Sequence, residues 1–164
     1  MFHPEFNCIA NLTVWSADDT RDGKFISLKN VHKAYICVII KQGADATPHT
    51  LTLKQATAGA GTATGTSEKA LLVACPVYYN EASWESSNLL TLGSAALGVH
   101  IMGVDQSRAK LVVFEVDPAQ HMDLANGFDC IGIDFTDLGA ANLGGAFAIL
   151  IPSRVAPLPT VFAD

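Results

Sequence analysis

The chain has 164 residues, of which 49% are apolar and only 16% charged, and its formal net charge is −6. That length favours a single domain able to bury roughly 70% of its unfolded surface. The acidic balance and the lack of any basic run exclude the counterion-displacing contacts of a nucleic-acid binder.

With so few charges, the surface must be rich in Ser, Thr, Asn, Gln and Gly, or be partly covered by partners. The N-terminal stretch MFHPEFNCIANLTV lacks a basic region followed by an apolar one, so no signal peptide is expected. No apolar run approaches the roughly 18–20 residues of a membrane span, and no membrane partner is expected. These features place synthesis in a reducing cytosol. Phe2, Pro4 and Phe6 make the first residues a candidate arm.

Nine short strands are expected, in chain order Ile9 to Trp15, Ala34 to Lys41, Thr50 to Gln55, Lys69 to Tyr79, Leu89 to Leu92, Val99 to Met102, Leu111 to Val116, Cys130 to Phe135 and Phe147 to Ile151. Turn residues separate them: Asp18-Asp19 and Asp22-Gly23, Gln42 to Asp45, Gly59 to Ser67, Asn80 to Ser87, and Asp137 to Gly145. The spacing suits an all-β (mainly β) β-sandwich or jelly roll rather than alternating βαβ units.

Ala34 to Ile40 is apolar on both faces, which predicts a central strand or one covered by an interface. Thr50 to Lys54 alternates, with Leu51 and Leu53 facing the core and Thr50, Thr52 and Lys54 facing solvent. Ile131, Ile133 and Phe135 should share one face, opposite Cys130, Gly132 and Asp134. Between the strands ending at Val116 and starting at Cys130 one short helix is expected, with Asp117 as N-cap, Pro118 at the first helical position and Gly127 just past the end. The tail from Pro152 to Asp164 holds Pro152, Pro157 and Pro159 among apolar residues. It reads as an extended arm of about 152–164, matched by one at about 1–8, on a single domain spanning 1–164.

Candidate chemistry is sparse. Gly59-Ala60-Gly61-Thr62-Ala63-Thr64-Gly65 superficially matches a phosphate cradle, but Thr66-Ser67-Glu68-Lys69 leads into a strand where a P-loop needs Lys, Ser/Thr and a helix N-terminus. A flexible surface loop or hairpin connection is expected instead. Asp18, Asp19 and Asp22 make half a calcium loop without the distal glutamate, and are read as a solvated turn. His3, His32, His49, His100 and His121 have no metal-ligand spacing.

Cys8, Cys37, Cys75 and Cys130 are expected to be free buried thiols, and the apolar run around Cys75 should raise its pKa. Trp15, Trp84, Tyr78 and Tyr79 could form a ligand platform or simply be half-buried sheet aromatics. No catalytic, cofactor-binding or metal-ligating residue is expected, and no enzyme activity.

The blocks ISLKNVHKAYICVIIKQGA, TLTLKQATAGAGT, KALLVACPVYYN, LVVFEVDPAQHMDLANGFDCIGI and AFAILIPSR, which together span most of the chain, resemble a family of small structural proteins of tailed bacteriophages. The resemblance implies a virion component, foremost a capsid cement or decoration protein on the outer surface of the major capsid protein lattice, assembled in the host cytoplasm. It carries no catalytic motif.

Such a role would use a homo-oligomer, dimer or trimer, and terminal arms. Candidate partner contacts are then Phe2, Phe6, Leu158, Val161 and Phe162. A head–tail connector, tail or vertex spike part is the first alternative, and a small-ligand-binding or enzymatic β-sandwich the second.

Overall fold

The computed structural model describes residues 8–16, 24–41, 48–80, 90–102, 109–135 and 143–153. The strands are β1 (Cys8–Ser16), β2 (Ile26–Ser27), β3 (Val31–Lys41), β4 (His49–Ala56), β5 (Lys69–Ala70), β6 (Cys75–Asn80), β7 (Thr91–Ala95), β8 (Val99–Met102), β9 (Ala109–Val116), β10 (Cys130–Phe135) and β11 (Leu143–Pro152). They form two antiparallel sheets. The larger runs β1-β11-β3-β9-β6-β7, and the smaller runs β2-β10-β4, with β5 and β8 pairing to different stretches of the remaining β4 edge.

The pairings β1 with β11, β2 with β10, β3 with β9 and β4 with β8 nest inside one another. The first four strands therefore fold back as a unit on the last four, switching sheets at each step. That nesting is the jelly-roll topology, and the β5-β6-β7 segment is an insertion that adds β5 to the smaller sheet and widens the larger one with β6 and β7.

Period-two burial builds the core between the sheets. Ala34, Ile36, Val38 and Ile40 of β3, Val112, Phe114 and Val116 of β9, and Ala146, Ala148 and Leu150 of β11 all face inward. They meet Leu51 and Leu53 of β4 and Ile131, Ile133 and Phe135 of β10, as their alternation predicts. A register shift between Asn11 and Thr13 accommodates Leu12, which is buried in the same core.

Several boundaries differ from expectation. The apolar run from Lys69 to Tyr79 is two strands, because the chain crosses between sheets after Ala70. Leu71 is buried on the way while Leu72 and Val73 are exposed. The strand expected at Leu89 to Leu92 lies at Thr91–Ala95. Gly144 and Gly145, read as loop, belong to β11 and pair with Ile40 and Ile39 on one side and with Trp15 and Val14 on the other.

The expected helix shrinks to one turn, α1 (Pro118–His121), in which Asp117 Oδ1 accepts the Ala119 N–H at 3.0 Å. A 3-10 turn, Leu124–Asn126, follows, and Gly127 closes it at φ 81°. At the arm boundaries, Cys8 and Pro152 are still paired within the larger sheet.

The glycine-rich segment is the hairpin connection between β4 and β5, as one of its two expected readings has it, and it is not a loose surface loop. It folds over the outward face of the smaller sheet and encloses a second small core of Phe25, Ala56 and Cys130. The Phe25 N–H donates to Thr62 O at 2.8 Å, and the Gly61 N–H donates to Phe25 O at 2.7 Å. Glycine is required under the ring: a Cβ at Gly132 would lie 2.9 Å from Phe25 carbons.

The turn that carries the chain from β7 in the larger sheet to β8 in the smaller is built on Leu97 and Gly98, both in the left-handed region at φ 52° and 83°, with the Val99 N–H donating to Ala96 O. A leucine there carries roughly 1–2 kcal/mol of steric cost that asparagine tolerates better. Leu97→Asn is therefore expected to stabilise the fold by about 1 kcal/mol, read as a rise of a few degrees in melting temperature.

Candidate functional site

Among the described residues, two surface features qualify as candidate sites. The first is a groove of about 400 Å³ at one end of the sandwich, between the Leu28–His32 segment, the start of α1 and the Gly127–Asp129 segment. Leu28, Val31 and Pro118 give it an apolar floor. Its carboxylates are engaged in the fold: Asp117 caps α1, and Asp129 lies 3.4 Å from Lys29 Nζ. Backbone bonds from Leu28 N–H to Asp129 O and from Ser153 N–H to Asn30 O tie its walls together.

The second is the outward face of the larger sheet. Cross-strand register places Phe147, Cys37, Val113, Tyr78 and Leu92 in one row over five strands, from β11 to β7. A neighbouring row holds Ile39 and Leu111, and a third holds Ile149, Tyr35 and Glu115. Leu92 is 63% exposed and Ile39 46%. Among the described residues of the three rows, Glu115 is the one charged side chain, and beside them Lys33 Nζ approaches it at 2.5 Å while the Tyr78 hydroxyl donates to it at 3.2 Å.

These contacts set the electrostatics of the face. The Lys33 ammonium first, and the Tyr78 hydroxyl after it, hold the Glu115 carboxyl below its usual range. The Glu115 hydrogen bond pushes Lys33 up. Stability from the depressed carboxyl is present above its unfolded value near 4.5 and is lost as pH falls through the folded value.

The raised lysine contributes below 10.5, and its share is lost as pH rises through the folded value. Both groups remain partly open to water. Glu115→Gln is therefore expected to cost under about 1 kcal/mol at neutral pH and to flatten the acid limb of the stability curve, measured by thermal melts across pH 3 to 7.

The remaining polar networks hold elements together. Buried Gln55 accepts the Asp123 N–H and donates to Ala70 O, both at 2.7 Å, while Lys69 pairs with Asp123 and lies 3.7 Å from the Phe128 ring centroid. Lys54 pairs with Asp134 and Glu68 on the smaller sheet. Burial pushes the Cys37 and Cys75 thiols up to about 11, so neither supplies a thiolate at neutral pH.

Tyr78 and Tyr79 lie on opposite faces of β6, so they do not form one platform. Tyr79 instead packs inward, with its ring centroid 4.8 Å from that of His100. Among the described residues, no three His, Cys, Asp or Glu side chains gather in a metal-holding group, and no helix is long and apolar enough to cross a membrane.

The sequence-derived partner contacts Phe2, Phe6, Leu158, Val161 and Phe162 lie outside the described residues, as do His3, Trp84, Asp18, Asp19, Asp22 and Asp137. The apolar sheet face was not among the candidate sites. Its trace in the sequence is the two-faced apolarity of Ala34 to Ile40, since Tyr35, Cys37 and Ile39 line the outward side. Comparison with protein-family models, with curated proteins and with solved structures finds no match to this chain.

Proposed function

We propose that this chain is a cement or decoration protein of a tailed-phage head, binding the outer surface of the major capsid protein lattice and stabilising the shell. The observation that carries the reading is the broad apolar face on a charge-poor jelly roll, a surface suited to being covered by neighbours in an assembly. Jelly rolls recur among viral capsid domains as well as among lectins and cupins, and the topology is compatible with a shell-bound role. The sequence blocks that resemble phage structural proteins point the same way. A net charge of −6 suits the exterior of a particle better than its DNA-lined interior.

On a symmetric lattice, modest contacts at each site multiply into tight retention. The proline-rich tail is the segment assigned to clamp a capsid subunit. Deleting Pro157 to Asp164 is expected to weaken sedimentation with heads stripped of this chain by at least about tenfold, and to leave the melting temperature of the isolated domain nearly unchanged. Unaltered binding to heads would remove the tail from the account.

A further inference from the structure

The two outward faces of this sandwich are treated differently by the chain itself. On the smaller sheet the apolar patch at Phe25, Ala56 and Cys130 is roofed by the 57–68 segment, and the rest of the face carries Thr50, Thr52 and the Lys54–Asp134 pair, with Val99 and the exposed Ile101 of the short strand β8 as its open apolar side chains among the described residues. On the larger sheet, the five-strand row from Phe147 to Leu92 keeps Leu92 substantially open, and the neighbouring row keeps Ile39 so. We propose that this face is a self-association surface, on which a second copy of the chain packs sheet against sheet about a two-fold axis.

Three observations commit the face to a second copy. Its extent is right: five strands of five to eleven residues, about 4.8 Å apart and rising about 3.4 Å per residue, together offer roughly 650 Å², close to the roughly 800 Å² that each partner gives to a standard interface. Its charge is also right. A chain of net charge −6 repels its own copies over most of its surface. Here Glu115 is already neutralised by Lys33 within the same protomer, and Lys41 stands exposed at the very end of β3, where it can stay in water, so two copies can meet without burying an unpaired charge.

Its chemistry allows the isologous contact, because branched and aromatic side chains line the row on either side of the buried Cys37 and each can meet its like, or another apolar group, across the two-fold. Aligned packing of two such faces at about 10 Å would make a four-layer sandwich. This reading stands on the face alone and does not depend on where the protein resides in a particle, so failure of head binding would leave it intact.

The test is light scattering coupled to size exclusion on the full chain, over a dilution series from micromolar to nanomolar. The expected mass is twice the 17.3 kDa of one chain at the upper end. Ile39→Glu and Leu92→Glu, at exposed positions of different strands, are each expected to raise the dimer dissociation constant at least about thirtyfold while retaining the β-type circular dichroism spectrum and cooperative melt. Ile101→Glu, equally exposed on β8 of the other sheet, is the control and should leave the mass unchanged.

Leu92→Glu, on an edge strand, keeps the test decisive if Ile39→Glu does not fold. A wild-type monomer at micromolar concentration, as when the chain's own 154–164 segment fills the face, would overturn the proposal. So would a trimer, a folded Leu92→Glu dimer of wild-type affinity, or dissociation by Ile101→Glu to the same degree.

Discussion

Replacing Phe114 with alanine is expected to lower the unfolding free energy by about 3–5 kcal/mol, a large share of the roughly 5–15 kcal/mol that holds a domain of this kind together. Phe114 is fully buried at the middle of β9, opposite Ile36 of β3 and Val77 of β6, with the His100 ring edge-on at 6.3 Å. Removing its ring leaves a cavity between strands held in register on both sides, so neighbours can relax into the space only partly. Urea unfolding followed by far-ultraviolet circular dichroism reads the change directly. A loss below about 1 kcal/mol would mean that the two sheets do not meet at Phe114 as described.

The second large effect belongs to the small core outside the main one. Phe25→Ala is expected to cost about 3 kcal/mol or more and, beyond that, to release the 57–68 segment to rapid proteolysis, because the ring is what the segment folds around. The complementary change is Gly132→Val, whose side chain would enter the space held by the Phe25 ring. It should destabilise by overpacking where Phe25→Ala destabilises by a void, and both should open the same loop. If the loop stays protected in both variants, its order comes from its own turn bonds rather than from Phe25.

Much of the sheet framework was legible in the residues. Alternation in Thr50 to Gln55 and Cys130 to Phe135 placed the inward side chains correctly, and the Asp117-Pro118 pair marked the start of the helical turn. What failed has identifiable physical causes. Two residues, Ile26 and Ser27, are too few to show a period, so β2 left no pattern to read.

The run from Lys69 to Tyr79 stays apolar through a crossover between sheets, and apolarity without a turn residue hides a change of direction. Glycine reads as punctuation at two places where it is instead part of ordered sheet structure. Gly144 and Gly145 lie inside a strand flanked on both sides, and Gly65 approaches Ala56 and Phe25 so closely that a Cβ would lie 2.4 Å from the Ala56 methyl.

The candidate site was less legible than the fold. Composition showed that too few charges exist to cover the surface, and the β3 segment showed apolarity on both faces, but neither says which five strands line up. The row Phe147, Cys37, Val113, Tyr78 and Leu92 comes from segments separated by up to 110 positions, and it exists only once register is set by the nested pairings. Long-range register follows from which faces are buried together, a property of the assembled sheets rather than of any local window.

The proposed cement role is tested most directly by cryo-electron microscopy of phage particles purified from the source of this chain, with its copies counted in the map. The expected result is jelly-roll density repeated over the outer shell at equivalent lattice positions, in numbers proportional to the major capsid protein. Density confined to a single vertex or to the tail, or no density in the particle, would contradict the cement role.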